Sequence, residues 1–156
     1  MSEFDLFQAV GKNQYYRVKY MLEHGVSPNG TFGEYRSTPL MNIDSDNINM
    51  AKLLVKHGAT INIESSNGLT ALLISAACGY IRVFNYLIKK GANYDHKNED
   101  GWTCAHFAAR NNYLHILHSL ISCGADLSKR NNQGATPYDI AVLHRNKEAQ
   151  RIIPEI

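Results

Sequence analysis

No apolar run in this 156-residue chain approaches the roughly 20 residues needed to span a bilayer, which excludes a membrane helix. The N-terminal stretch MSEFDLFQAV is acidic and lacks the basic n-region of a secretory signal. Cysteine is scarce and odd in number (Cys78, Cys104 and Cys123), so a full set of disulfides would leave one thiol over. Reduced thiols and a cytoplasmic location are the simpler expectation. Basic residues form no block, and sixteen Lys and Arg against fourteen Asp and Glu leave a net charge of only +2. That removes the electrostatic footprint of a nucleic-acid binder. The one short basic pair, Lys89-Lys90, ends an apolar segment, where it complements a helix dipole. Also missing are the nucleophile-elbow G-x-S-x-G, the phosphate-binding G-x-x-x-x-G-K and the zinc-protease H-E-x-x-H. The stretch MNIDSDN starts like a calcium loop but lacks the Gly and the distant Glu that an EF-hand needs. There is one tryptophan, Trp102.

What the chain has is a globular hydrophobic content of 44% and a repeat. The tripeptides HGV, HGA, KGA and CGA place Gly25, Gly58, Gly91 and Gly124 at successive intervals of 33 residues. Thr70, Thr103 and Thr136 keep the same period, each two residues after a glycine (Gly68, Gly101, Gly134). In the stretch SSNGLTALLISAACGYIRVFNYLIKKGANYDHK, Gly68 suits a hairpin tip and Thr70 an N-cap for a helix to about Ala77. Gly79 suits the left-handed stop of that helix. A second helix over about Ile81–Lys89 carries Val83, Phe84, Tyr86 and Leu87 on its apolar face, and Gly91 ends it. Each unit is therefore hairpin, helix, turn, helix. Helices this short are unstable alone and must stack on neighbours.

The unit resembles the ankyrin repeat, whose first helix opens on T-P-L-H-x-A. The matching segments are STPLM (37–41), LTALL (69–73), WTCAHFAA (102–109) and ATPYDIA (135–141). The resemblance covers essentially the whole chain. It implies an all-α repeat solenoid of helix–turn–helix units with β-hairpin fingers, as a single domain over 1–156. The units are an N-terminal capping repeat (1–30), an irregular repeat (31–64), repeats at 65–97 and 98–130, and a C-terminal capping repeat (131–156). The first unit starts directly as a helix near Phe4-Asp5-Leu6, and the last stops at Pro154, as caps should. Such ends argue against a fragment of a larger protein. Gly25 to Thr38 is 13 residues against 12 for Gly58 to Thr70, so the finger VSPNGTFGEYRS has one extra residue. The following MNIDSDNIN has lost one, together with the Ala-Ala pair and the turn glycine, which predicts local irregularity there.

The segment DGWTCAHFAA invites a chemical reading, because Cys104 and His106 are followed by His115, His118 and Cys123. Their spacing matches no closed zinc pattern. Repeat position accounts for each member instead. His106 stands three residues after Thr103, where the ankyrin signature has its own His, which fixes the helix start and its link to the hairpin. Cys104 takes the Pro position, a small buried site. His115 and His118 belong to the second helix and face outward. A Cys/His metal-dependent activity is the distant alternative. The reading is a non-enzyme with no metal and no cofactor.

Ankyrin repeats bind through the hairpin tips and the exposed side of each first helix, so residues that vary there are candidates for contact. The resemblance implies a protein or peptide partner, with no nucleic acid and no membrane, bound by a chain that is monomeric alone. Phe32 and Tyr35, Leu69 and Trp102 form an apolar line across successive fingers. The competing reading has Phe32 and Tyr35 folding back on the irregular repeat and Trp102 packing on a neighbouring finger. Asn67, Glu99, Asp100 and Gln133 lie at finger tips; Cys78, Arg110, Asn111 and His144 lie at first-helix ends. Arg110 is the polar anchor of this set, able to fork onto a carboxylate. A narrower alternative is a pathogen or symbiont effector, acting in host cytoplasm, that sequesters a host protein or occludes an enzyme. Its motivation is degenerate repeats and a composition rich in Asn, Ile, Tyr and Lys.

Overall fold

The computed structural model describes residues 1–155. Nine α-helices alternate with loops among them: α1 (Glu3–Gly11), α2 (Tyr15–Glu23), α3 (Ile48–Lys56), α4 (Ala71–Cys78), α5 (Ile81–Lys89), α6 (Cys104–Asn111), α7 (Leu114–Ser122), α8 (Pro137–Leu143) and α9 (Lys147–Ile152). A 3₁₀ turn at Pro39–Asn42 stands where the first helix of the second repeat belongs. The fold is the all-α helix–turn–helix repeat that the 33-residue period demands. The chain divides into two compact units, one over Met1–Ala71 and one from Leu72 onward.

In the first unit α1 packs on α2 and on the 3₁₀ turn, and α2 on α3. Leu6, Val18, Met21, Met50 and Leu54 are fully buried in its core. Removing each such side chain from water is worth about 1.5–3 kcal/mol, which is how helices of only nine residues persist. The start of α1 is sharper than its apolar pattern foretells. Ser2 is the N-cap, its hydroxyl accepting from the Asp5 N–H at 3.1 Å while the Asp5 carboxylate accepts from the Ser2 N–H at 2.8 Å.

In the second unit α6 packs on α7 and α8, α5 on α7, and α9 on both α7 and α8. Phe84, Leu87, Ile116, Leu117 and Leu120 fill its interior. The apolar face expected of α5 forms through Val83, Phe84 and Leu87, while Tyr86 is only half-buried. The turn between the helices of a pair repeats in conformation as well as in sequence position. Asn13, Gly79, Asn112 and Arg145 all have positive φ, at 53, 73, 55 and 58°. Gly79 supplies this without strain, and a Cβ there would also stand 3.0 Å from the Tyr113 ring.

The irregular repeat is irregular where the missing residue predicts. Deleting one residue and the Ala-Ala pair leaves too little chain for a first helix, and only the 3₁₀ turn forms. The Asn42 side chain ties this turn to α1, donating to the Phe7 carbonyl at 2.9 Å. The fingers differ from the expected β-hairpins. Among the described residues, strand pairing is reduced to one isolated bridge, Phe32 to Ser37, in the finger that carries the extra residue. The other fingers are tight turns held by a side chain at their base. Asn98 Oδ1 accepts from the Trp102 N–H at 2.8 Å, and Asn131 Oδ1 from the Ala135 N–H at 3.0 Å. A Ser65 hydroxyl does the same for Leu69, also at 3.0 Å. Each five-residue loop closes with one backbone bond across its ends, from the Ser65, Asn98 and Asn131 N–H groups to the Leu69, Trp102 and Ala135 carbonyls at 2.8, 3.0 and 2.9 Å, and the side chain at its base supplies the second.

Candidate functional site

The sequence pattern Thr103-x-x-His106 builds the floor of the site. The Thr103 N–H can only donate, and it meets His106 Nδ1 at 3.1 Å, so that nitrogen carries no proton. The hydrogen therefore sits on Nε2, which donates to the Ala135 carbonyl of the next finger at 3.0 Å. His106 is fully buried. Desolvation, the largest influence, holds its pKa below the ordinary histidine value and keeps the ring neutral. Both ring nitrogens are thus engaged in joining the helix start to the following finger. Cys104 is also fully buried, and burial pushes its thiol far above the usual range, away from thiolate chemistry. His115 and His118 are exposed on α7 and Cys123 is half-buried at its end. Among the described residues, no group of three or more His, Cys, Asp and Glu side chains is disposed to hold a metal ion.

Above this floor lies a pocket of about 390 Å³ lined by Asn98, Asp100, Trp102, Phe107, Arg110, Asn132 and Gln133. Its wall is α6. Phe107 and Arg110 are three residues apart and share one face of that helix. Trp102, just before the N-cap, lays its half-buried indole along the same face. The ring centroid is 5.1 Å from Phe107 and 5.7 Å from His106, and the Arg110 guanidinium sits 5.9 Å from it. The opposite rim is the 98–102 finger joined to the next one. Asn132 donates from its backbone to the Asp100 carbonyl at 3.0 Å and from its side chain to the Glu99 carbonyl at 2.7 Å. This close approach requires Gly101, with φ of 76°, because a Cβ there would lie 2.8 Å from the Asn132 backbone nitrogen. Among the described residues, the Trp102 indole N–H and the side chains of Asp100, Arg110 and Gln133 make no hydrogen bond or ion pair.

Of the twelve residues singled out from sequence, Asp100, Trp102, Arg110 and Gln133 come together in this pocket. Glu99 is exposed beside it. Asn111 is exposed but committed to stacking, its amide donating to the Ala77 carbonyl at 3.2 Å and the Phe107 carbonyl at 3.1 Å. Cys78 and His144 are exposed at the ends of α4 and α8. Trp102 lies against His106, Phe107 and Arg110 of α6 and shares its pocket with Asn132 and Gln133 of the next finger.

Phe32, Tyr35, Asn67 and Leu69 belong to the first unit. Phe32 is half-buried against Phe4 and Phe7 of α1, at centroid distances of 5.6 and 5.4 Å. Tyr35 is 53% exposed, and its carbonyl accepts from the Ser66 N–H at 2.8 Å, joining the two fingers of that unit. Leu69 and Asn67 are half-buried.

Sequence reasoning missed Phe107, Asn98 and Asn132. Phe107 was legible in principle: it occupies the place of Ile74 and Ile140 and is the only aromatic residue there. No helix among the described residues is long and apolar enough to cross a membrane. No curated protein matches the chain. Two family models do: ankyrin repeats in three copies over residues 6–98, and ankyrin repeats in many copies over residues 81–121. The same helix pairing continues past the matched region through α8 and α9. The chain is a member of the ankyrin repeat family.

Proposed function

We propose that this chain is a non-enzymatic module that binds a partner protein through its finger tips and first helices, with the pocket at Trp102 as the anchor point. Ankyrin repeats are in general protein–protein interaction modules, which supplies the class of function. The observation that carries the site is the set of uncommitted groups around Trp102. Scaffold residues in this chain use their polar atoms within the fold, as His106, Asn111 and Asn132 do. Asp100, Arg110, Gln133 and the Trp102 indole N–H do not. Tryptophan and arginine are also the residue types most enriched among interface hot spots, above all in pockets that lose their water on binding. A specific interface needs about 800 Å² from each partner, an area that fingers and first helices of several repeats together supply.

A photo-cross-linker tests the assignment. Placed at Gln133, on the pocket rim, it should capture a partner from native lysate in discrete bands. Placed at His115, exposed on α7, it should capture none of those bands. Equal capture from both positions would remove the assignment of the face.

A further inference from the structure

We infer that the Trp102 pocket recognises a peptide segment presenting a single carboxylate beside a bulky apolar side chain. This rests on the reading of the pocket as the partner-binding site. Three features of the pocket carry the choice of ligand. The first is that Arg110 is exposed and without an anionic partner, with its guanidinium over the Trp102 ring at 5.9 Å from the centroid, a cation–π contact at the outer limit of range. A guanidinium with no hydrogen-bond partner keeps its N–H edges open, and such an edge matches a carboxylate in a two-point fork.

The second feature is the apolar ground next to that edge. Trp102 and Phe107, with centroids 5.1 Å apart, are both half-buried and both line the pocket. An apolar side chain adjacent to the carboxylate would cover them and exclude water around the ion pair, which raises its worth. Without that cover, the pair is a solvent-exposed salt bridge of little value.

The third is Asp100 on the opposite rim, with Glu99 beside it, both exposed. Their charges oppose a run of acidic residues, so the pocket discriminates a lone carboxylate from a polyacidic tract. Gln133 and the Trp102 indole N–H remain to meet the peptide backbone, an amide and a donor of neutral kind.

Selection from a random dodecapeptide phage library on the full chain tests this, followed by calorimetric titration of the selected peptides. The expected consensus is one Asp or Glu adjacent to Leu, Ile, Phe or Trp. Replacing the acid by its amide should weaken binding at least tenfold, and so should Arg110→Gln, while Arg151→Gln on α9 leaves it unchanged. A basic or polyacidic consensus that still depends on Trp102 would overturn the ligand class and leave the site standing. So would an amide version that binds as well as the acid. Selected peptides indifferent to Trp102→Ala would overturn the ligand class and the site together.

Discussion

His106 Nε2 lies 3.0 Å from the carbonyl oxygen of Ala135, a residue 29 positions further along the chain. One imidazole thereby closes the start of α6 and fixes the finger of the next repeat above it. Truncating it leaves the buried Thr103 N–H and the half-buried Ala135 carbonyl without these partners. His106→Ala should cost about 2–4 kcal/mol, at roughly 1–3 kcal/mol for each unsatisfied group less relaxation. Urea denaturation checks this; a loss under about 0.5 kcal/mol would show that the contact does not hold the repeats together.

The same burial gives a pH dependence of definite sign. His106 has a folded pKa held below that of an unfolded histidine, so the unfolded chain binds the extra proton first. The stability it contributes is fully present above about pH 6.5 and is lost progressively as pH falls from there through the folded value. In His106→Gln this slope should flatten. Asp5 and Asp139, both in capping boxes that hold their pKa low, act only in a more acidic window, below about pH 4. Denaturation midpoints measured between pH 5 and 8 for the two proteins separate these contributions.

Thiol reactivity should divide the cysteines by burial. Cys78 is exposed and Cys104 is fully buried with a thiol pushed away from ionisation. A disulfide-exchange reagent at pH 8 should label Cys78 rapidly and Cys104 only on unfolding. Rapid native labelling of Cys104 would reopen the chemical reading of the Cys-x-His pair.

Arg145 holds a left-handed conformation, φ 58°, at the turn where Gly79 stands two repeats earlier. A non-glycine residue gives up about 1–2 kcal/mol there, part of which glycine recovers against its own greater chain entropy. Arg145→Gly should therefore stabilise the chain by about 0.5–1 kcal/mol, read as a higher urea midpoint at unchanged slope.

The period of 33 and the Thr and Gly positions were enough to place the helices, the irregular repeat and the scaffold role of His106, because each follows from local backbone needs repeated along the chain. Three things were not legible. The N-cap at Ser2 needs Asp5 to be read as its reciprocal partner, a short-range signal hidden among apolar residues. The fingers look like hairpins in sequence, but whether strands pair depends on loop length, and only the longer finger forms a bridge. Phe32 and Trp102 look alike as aromatic residues on fingers. One packs against Phe4 and Phe7, the other along Phe107 and Arg110, and only three-dimensional neighbours separate the two.

In the proposed function the partner is held at Trp102, while Cys104 and His106 serve the scaffold. The most direct measurement is quantitative co-precipitation from native lysate with the wild type and a Trp102→Ala, Arg110→Ala double variant, after confirming equal melting temperatures. Truncating a tryptophan anchor costs about 2 kcal/mol or more of affinity, so proteins recovered specifically by the wild type should fall at least tenfold with the variant. Equal recovery by the two proteins would contradict it.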